Sequence, residues 1–175
     1  MSLLISKQSI RSILNTIILL TISLVVTILL IACSMEEKSN PIMNLETNED
    51  QAEITAVSYT GQPNNYTLSV TIQSPDTGCD QYADWWEVIT AEGVLIYRRI
   101  LGHSHVAEQP FTRTGGIVDI GLDDFIYVRA HMNNLGYGTR VFSGTLRNDL
   151  KADTLDANFA ILLASTDPLP GNCAF

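Results

Sequence analysis

The chain predicts an all-β domain, and three observations carry that prediction. Between residues 54 and 145, short segments rich in Val, Ile, Thr and aromatic residues alternate with clusters of Gly, Pro, Asn and Asp. Within the clearest segments, apolar and polar side chains alternate with the period of two that turns one strand face into a core. About seven such segments fit into roughly 90 residues, a spacing suited to consecutive short strands and too tight for strands joined by helices.

The elements follow in order. Residues 54–59 form the first strand, closed by Gly61-Gln62-Pro63-Asn64-Asn65. Residues 66–72 alternate cleanly and stop at Ser74-Pro75-Asp76-Thr77-Gly78. Residues 84–90 come next, and a turn at Ala91-Glu92-Gly93 sends residues 94–101 back as a hairpin partner. A loop over 109–116, with Pro110, Gly115 and Gly116, leads into a strand at 117–120. Residues 125–132 are the strongest strand, and Asn133-Asn134-Leu135-Gly136-Tyr137-Gly138 turns it into 140–145. Beyond that, Leu155, Phe159, Leu162 and Leu163 have helical spacing and predict a short amphipathic helix over 152–164, ahead of Pro168 and Pro170. The reading is a single immunoglobulin/fibronectin-III-like β-sandwich over 54–175 with a short C-terminal helix; a small barrel is the alternative.

The segment 1–53 reads differently. Lys7 and Arg11 precede an uncharged run from Ser12 to Met35, which contains Leu30-Ile31-Ala32-Cys33 near its end and turns polar at Glu36-Glu37-Lys38. A charged start, an apolar stretch and small residues before a cut describe a secretory signal. The ending resembles a bacterial lipobox. The resemblance implies a lipoprotein signal peptide over 1–32, cleavage before Cys33, and lipidation of Cys33 as the new N-terminus. The run is also long enough to span a bilayer, so an uncleaved anchor is the alternative. Several acyl chains on Cys33 would hold firmly to a membrane, at about 0.8 kcal/mol per buried CH₂. Ser34 after the cysteine resembles the outer-membrane signal of enterobacterial lipoproteins, and Glu36-Glu37 resembles the surface-export signal of some Bacteroidetes lipoproteins. The segment 33–53, polar and free of aromatics, reads as a lipidated cysteine and flexible tether.

Composition narrows the partners. Removing 1–32 takes away Lys7 and Arg11 and none of the 19 acids, which moves the net charge from −9 to −11. That argues against nucleic acid and against electrostatic attachment to anionic lipid. The positive mean hydropathy of +0.15 arises largely from the segment 1–32. Two further cysteines, Cys79 and Cys173, are expected to form a disulfide outside the cytoplasm. In the chain-entropy picture, closing a loop of that length is worth about 4–5 kcal/mol.

Candidate chemistry concentrates between Tyr82 and Tyr137. In the 125–132 strand, Ile126, Val128, Ala130 and Met132 face the core, which sends Tyr127, Arg129 and His131 outward. In the 84–90 strand, Trp86 and Val88 fit the core and Trp85 and Glu87 face outward. A sandwich of this type makes the two strands neighbours, so Glu87 can pair with Arg129 across them. Trp85, Glu87, Tyr127 and Arg129 then form a candidate exposed binding surface. Trp85, Tyr97, Tyr127 and Tyr137 could offer a stacking platform to a sugar or peptide; against that, Trp86 reads as the buried core tryptophan and Trp85 as packed under a loop. Antiparallel pairing also brings His103, His105 and His131 to one end of one sheet. Three imidazoles suit Zn²⁺ or Cu²⁺. The competing expectation binds no cofactor: Arg98, Arg99, Arg113, Arg129 and the histidines hydrogen-bond the 102–115 loop onto the sheet.

Motifs for catalysis are lacking. There is no Gly-x-Ser-x-Gly, His-Glu-x-x-His or phosphate-cradling loop. The segments 82–88, 95–101, 103–106 and 108–111 resemble parts of uncharacterised secreted bacterial proteins, a resemblance that implies no activity. The expectation is therefore a cell-envelope lipoprotein at the outer membrane or cell surface, carrying a non-catalytic binding or structural module for an envelope protein or glycan. The alternative is a metal-binding envelope domain.

Overall fold

The computed structural model describes residues 50–174. The signal segment, Cys33 and most of the expected tether lie outside the described residues. Nine strands follow in order: β1 Glu53–Gln62, β2 Asn65–Gln73, β3 Ala83–Thr90, β4 Leu95–Ile100, β5 Phe111–Val118, β6 Ile126–Met132, β7 Gly136–Tyr137, β8 Arg140–Gly144 and β9 Lys151–Thr154. One antiparallel sheet runs β1-β2-β5 and the other runs β4-β3-β6-β8-β9, with β7 attached to β6. This is an all-β, immunoglobulin/fibronectin-III-like sandwich. Its three-plus-four frame is β1-β2-β5 against β4-β3-β6-β8, and β7 and β9 are additions to it.

The pleat builds the core. On β2, Tyr66, Leu68, Val70 and Ile72 point inward; on β3, Trp86 and Val88; on β6, Ile126, Val128, Ala130 and Met132. All are at most 4 % exposed. Ala52 is fully buried in the same cluster, and β1 opens at Glu53, so the fold takes in the last residues assigned to the tether.

Two expectations are corrected here. The strand expected at 117–120 begins at Phe111, because the glycines that suggest a loop lie inside β5. A Cβ on Gly115 would lie 2.7 Å from Trp86 Cη2 and 2.9 Å from Tyr97 Cε1. The Gly116 N–H donates to the Tyr97 hydroxyl at 2.6 Å. Glycine is therefore present because two aromatic rings lie against this strand.

The second correction is the helix expected over 152–164. Its first residues are β9, paired with β8 as Phe142↔Ala152 and Ser143↔Lys151. A 3-10 turn, Ile161–Ser165, follows. Ala160 stands in the left-handed region at φ 49°, which interrupts any right-handed run. Carbonyls an α-helix would use, those of Phe159 and Leu163, accept hydrogen bonds from arginine side chains far earlier in the chain.

Gly115→Val should place a branched side chain against the buried Trp86 ring and cost about 1–3 kcal/mol of stability. Gly102→Ala, where a Cβ meets nothing within 4 Å, should be close to neutral. Urea denaturation of both variants checks the contrast.

Candidate functional site

The outward face of β4-β3-β6 holds the densest polar and aromatic cluster among the described residues. Register places Glu87 opposite Arg98 on one side and Arg129 on the other. Glu87 Oε2 accepts from Arg98 Nε at 2.8 Å and pairs with Nη2 at 2.6 Å. Oε1 accepts from Arg129 Nε at 2.8 Å and pairs with Nη2 at 2.8 Å. All three side chains are at most 1 % exposed.

What covers them is the chain after β9. Arg98 Nη1 donates to the carbonyls of Thr166 at 2.7 Å and Pro168 at 3.0 Å, and Nη2 to that of Leu163 at 2.7 Å. Arg129 Nη1 donates to the Phe159 carbonyl at 2.6 Å, with a longer contact of 3.5 Å from Nη2 to Ala160. A guanidinium has five N–H groups, and on Arg98 each has a partner. Aromatic packing completes the layer. Arg98 lies 4.5 Å above the Trp85 ring, and Trp85 stacks on His131 at 3.7 Å and 8°. Arg129 lies 3.4 Å above Tyr137. Burial pushes the Tyr137 phenol up to about 12. The Cys79–Cys173 disulfide, with Cα atoms 5.6 Å apart, fastens the far end of the segment.

Trp85, Glu87 and Arg129 thus share a face with Tyr127, but the first three are buried, so the exposed surface expected from strand alternation is corrected. Strand alternation identifies the face; it cannot show that a later segment lies over it. Arg98 and Arg129 bind that segment and not the 102–115 loop. Tyr127 alone of the four is partly accessible.

The 102–115 loop is held by other groups. The buried Asp76 accepts from the His105 N–H at 2.7 Å, the Ala83 N–H at 3.0 Å and the Ser74 hydroxyl at 2.7 Å. Gln109 bridges Ser74 and the His105 carbonyl. Arg113 pairs with Glu108 at 2.8 Å. Sequence patterning does not single out Asp76 or Gln109, although Asp76 lies in a turn cluster where a local carboxylate cap is common.

The histidines go to separate tasks. His131 Nδ1 meets Asp84 Oδ1 at 2.7 Å. Burial pushes the Asp84 carboxyl up, against the downward pull of His131. His105 stacks on Phe111 at 3.7 Å and 10°, with neither ring nitrogen hydrogen-bonded. Its ring centroid is 4.4 Å from that of His103. Among the described residues, no three His, Cys, Asp or Glu side chains gather as a metal-ligand set. His103, His105 and His131 are therefore not brought together into the three-histidine site expected of them. Backbone topology carries them toward one end, but Asp84 and Trp85 hold the His131 ring, while Phe111 holds the His105 ring, which packs against His103.

Two outcomes follow. Glu87→Ala leaves two buried guanidiniums without their carboxylate and should cost about 3–5 kcal/mol, with hydrogen exchange quickening at 159–168. His105 supplies a pH dependence. Desolvation lowers its pKa from 6.5 to about 4. Between those values the unfolded chain binds a proton that the folded chain does not, so stability falls as pH drops through that window. His105→Phe should flatten the slope, which urea unfolding at stepped pH would measure.

Comparison with known proteins yields a partial relative. A protein of Halomicrobium mukohataei named "Putative lipoprotein" is 42 % identical over 71 residues, covering 41 % of this chain and 35 % of that protein. The chain thus matches about a third of that relative's length. No family model and no solved structure matches.

Proposed function

We propose that the chain is a lipid-anchored envelope protein, cut before Cys33 and acylated there, whose sandwich is a non-catalytic binding or structural module held off the membrane by a tether. The observation that carries the module reading is the use made of the chain's most reactive-looking cluster. Glu87, Arg98 and Arg129 are spent on one another and on main-chain carbonyls, which leaves a fastening. Asp84 and His131 pair with each other against Trp85. Such a module needs no cofactor.

Two sets of observations support the anchor. The Leu30-Ile31-Ala32-Cys33 ending has the form of a lipobox, and the partial relative carries a lipoprotein name. The Cys79–Cys173 disulfide fits an oxidising compartment. Ser34 and the acidic pair behind it favour the outer membrane or the cell surface.

Labelling with radioactive palmitate tests this in cells expressing the full chain. The parent protein should take up label, fractionate with membranes and begin at Cys33 by mass spectrometry. Cys33→Ala should lose the label and accumulate as a precursor about 3.5 kDa larger in polypeptide mass, from the 32 retained residues. A parent protein that keeps the segment 1–32 and takes up no label would overturn the anchor and favour a membrane-spanning segment.

A further inference from the structure

The segment that closes over the Glu87 cluster is fastened by its backbone and not by its side chains. From Lys151 to Ala174 no residue is buried, and none joins the core cluster between the sheets. Phe159 and Leu163 are half-buried, whereas Ile161 is 46 % exposed and Leu162 82 %. The N–H groups of Phe159, Ile161, Leu163 and Thr166 donate to the carbonyls of Asp156, Asn158, Ala160 and Leu163, all within the segment itself. The carbonyls that reach the sheet, those of Phe159, Ala160, Leu163, Thr166 and Pro168, accept from two side chains, Arg98 and Arg129. The Cys79–Cys173 bridge bolts the far end to the loop between β2 and β3, and the Ala174 N–H donates to the Gly102 carbonyl at 2.8 Å.

We propose that this bridge is a redox latch: its reduction lets residues 155–173 leave the β4-β3-β6 face while both sheets stay folded. Three observations carry the local opening. The segment takes no buried side chain with it, so the core between the sheets is untouched. Glu87 stays with Arg98 and Arg129 when water replaces the carbonyls, so no ion is left without its partner. Leu155, Phe159, Leu162 and Leu163 have helical spacing, so the docked, irregular path runs against the segment's own pattern and is imposed from outside it. Ordering this stretch of backbone carries an entropy cost, which the bridge lowers by fixing the far end.

The bridge is open to attack. Cys79 and Cys173 are partly exposed, and Asp80, Asn172 and Ala174 beside them are exposed; exposed bridges are the ones that exchange readily with thiols. The reductant is a dithiol. One of its thiolates attacks a bridge sulfur, the Cys79–Cys173 bond breaks, a mixed disulfide forms and the other cysteine leaves as a thiolate. The second thiolate of the reductant then attacks the mixed disulfide, closes a disulfide within the reductant and releases the remaining cysteine. Two electrons pass to the protein, and the two protons given up by the dithiol are balanced by those that the cysteines take from water. In an oxidising compartment the closed state is the resting one. Opening bares Trp85, Arg98 and Arg129, all now buried.

The full chain in detergent micelles would be treated with dithiothreitol in the absence of denaturant. Hydrogen exchange, alkylation mapping with iodoacetamide and tryptophan emission would follow the outcome. Cys79 and Cys173 should both become alkylated, and exchange over 159–173 should quicken about tenfold or more while β2, β3 and β6 keep their protection. Emission should shift to the red as Trp85 meets water, and Trp85→Phe should abolish that shift because Trp86 stays in the core. A sample reoxidised before alkylation should regain slow exchange. A bridge that dithiothreitol opens only in urea, exchange that rises in all strands together, or a reduced protein whose 159–173 segment stays protected would overturn the proposal. Each readout is made on residues 79–173, so it is independent of lipidation at Cys33.

Discussion

One carboxylate between two guanidiniums organises the second layer of this protein. Glu87 is fully buried, and so, within 1 %, are the arginines on the strands to either side. A lone ion in such a place would be costly, and one carboxylate cannot satisfy two guanidiniums. The surplus positive charge and the remaining N–H groups are met by carbonyl dipoles from the segment 159–168. The covering segment is therefore dictated by charge arithmetic on the sheet. Without the carbonyls, Arg98 and Arg129 would be left half-partnered in an apolar layer of Trp85 and Tyr137.

That requirement explains why the covering segment is irregular. A helix would direct its carbonyls to its own N–H groups. Here the chain passes through a left-handed Ala160 and a single 3-10 turn, which frees Phe159, Leu163, Thr166 and Pro168 to accept from side chains. The true core, between the two sheets, follows ordinary alternation and does not depend on this arrangement. Trp86 fills it from β3, and Gly115 on the opposing sheet leaves room for its ring.

Most of the sandwich is legible in the sequence because strand patterning is local. The alternation in β2 and β6, the turn residues after β3 and the adjacency of β3 and β6 all follow from period two and sandwich order. The same reasoning leads to the Glu87 and Arg129 pairing, reproduced in the observed register. The misses share a cause. Gly115 and Gly116 read as a loop because the rings against them are distant in sequence. Leu155, Phe159, Leu162 and Leu163 read as a helix because no local signal announces that arginines far earlier in the chain need carbonyls from this segment. Arg98 and Leu163 are 65 positions apart. Backbone direction alone places His103, His105 and His131, whereas the orientation of the His131 ring depends on Asp84 and Trp85 and that of His105 on Phe111.

The cross-link has a mechanical meaning for a load carried from one end of the chain to the other. Cys79 and Cys173 are 94 positions apart, and β3 through β9 all lie between them. A pull applied across the cross-linked positions travels through the sulfur bridge and bypasses those strands. For a load between the N-terminal side and the C-terminal end, with the bridge intact, only the chain ahead of Cys79, essentially the β1–β2 hairpin, can be drawn out of the described fold. At about 3.3–3.6 Å per residue, the roughly 30 residues from Asp50 to Cys79 set a ceiling of about 100 Å on extension of the described chain. Pulled from end to end, a domain built this way gives up a short, fixed length of its fold and then stops.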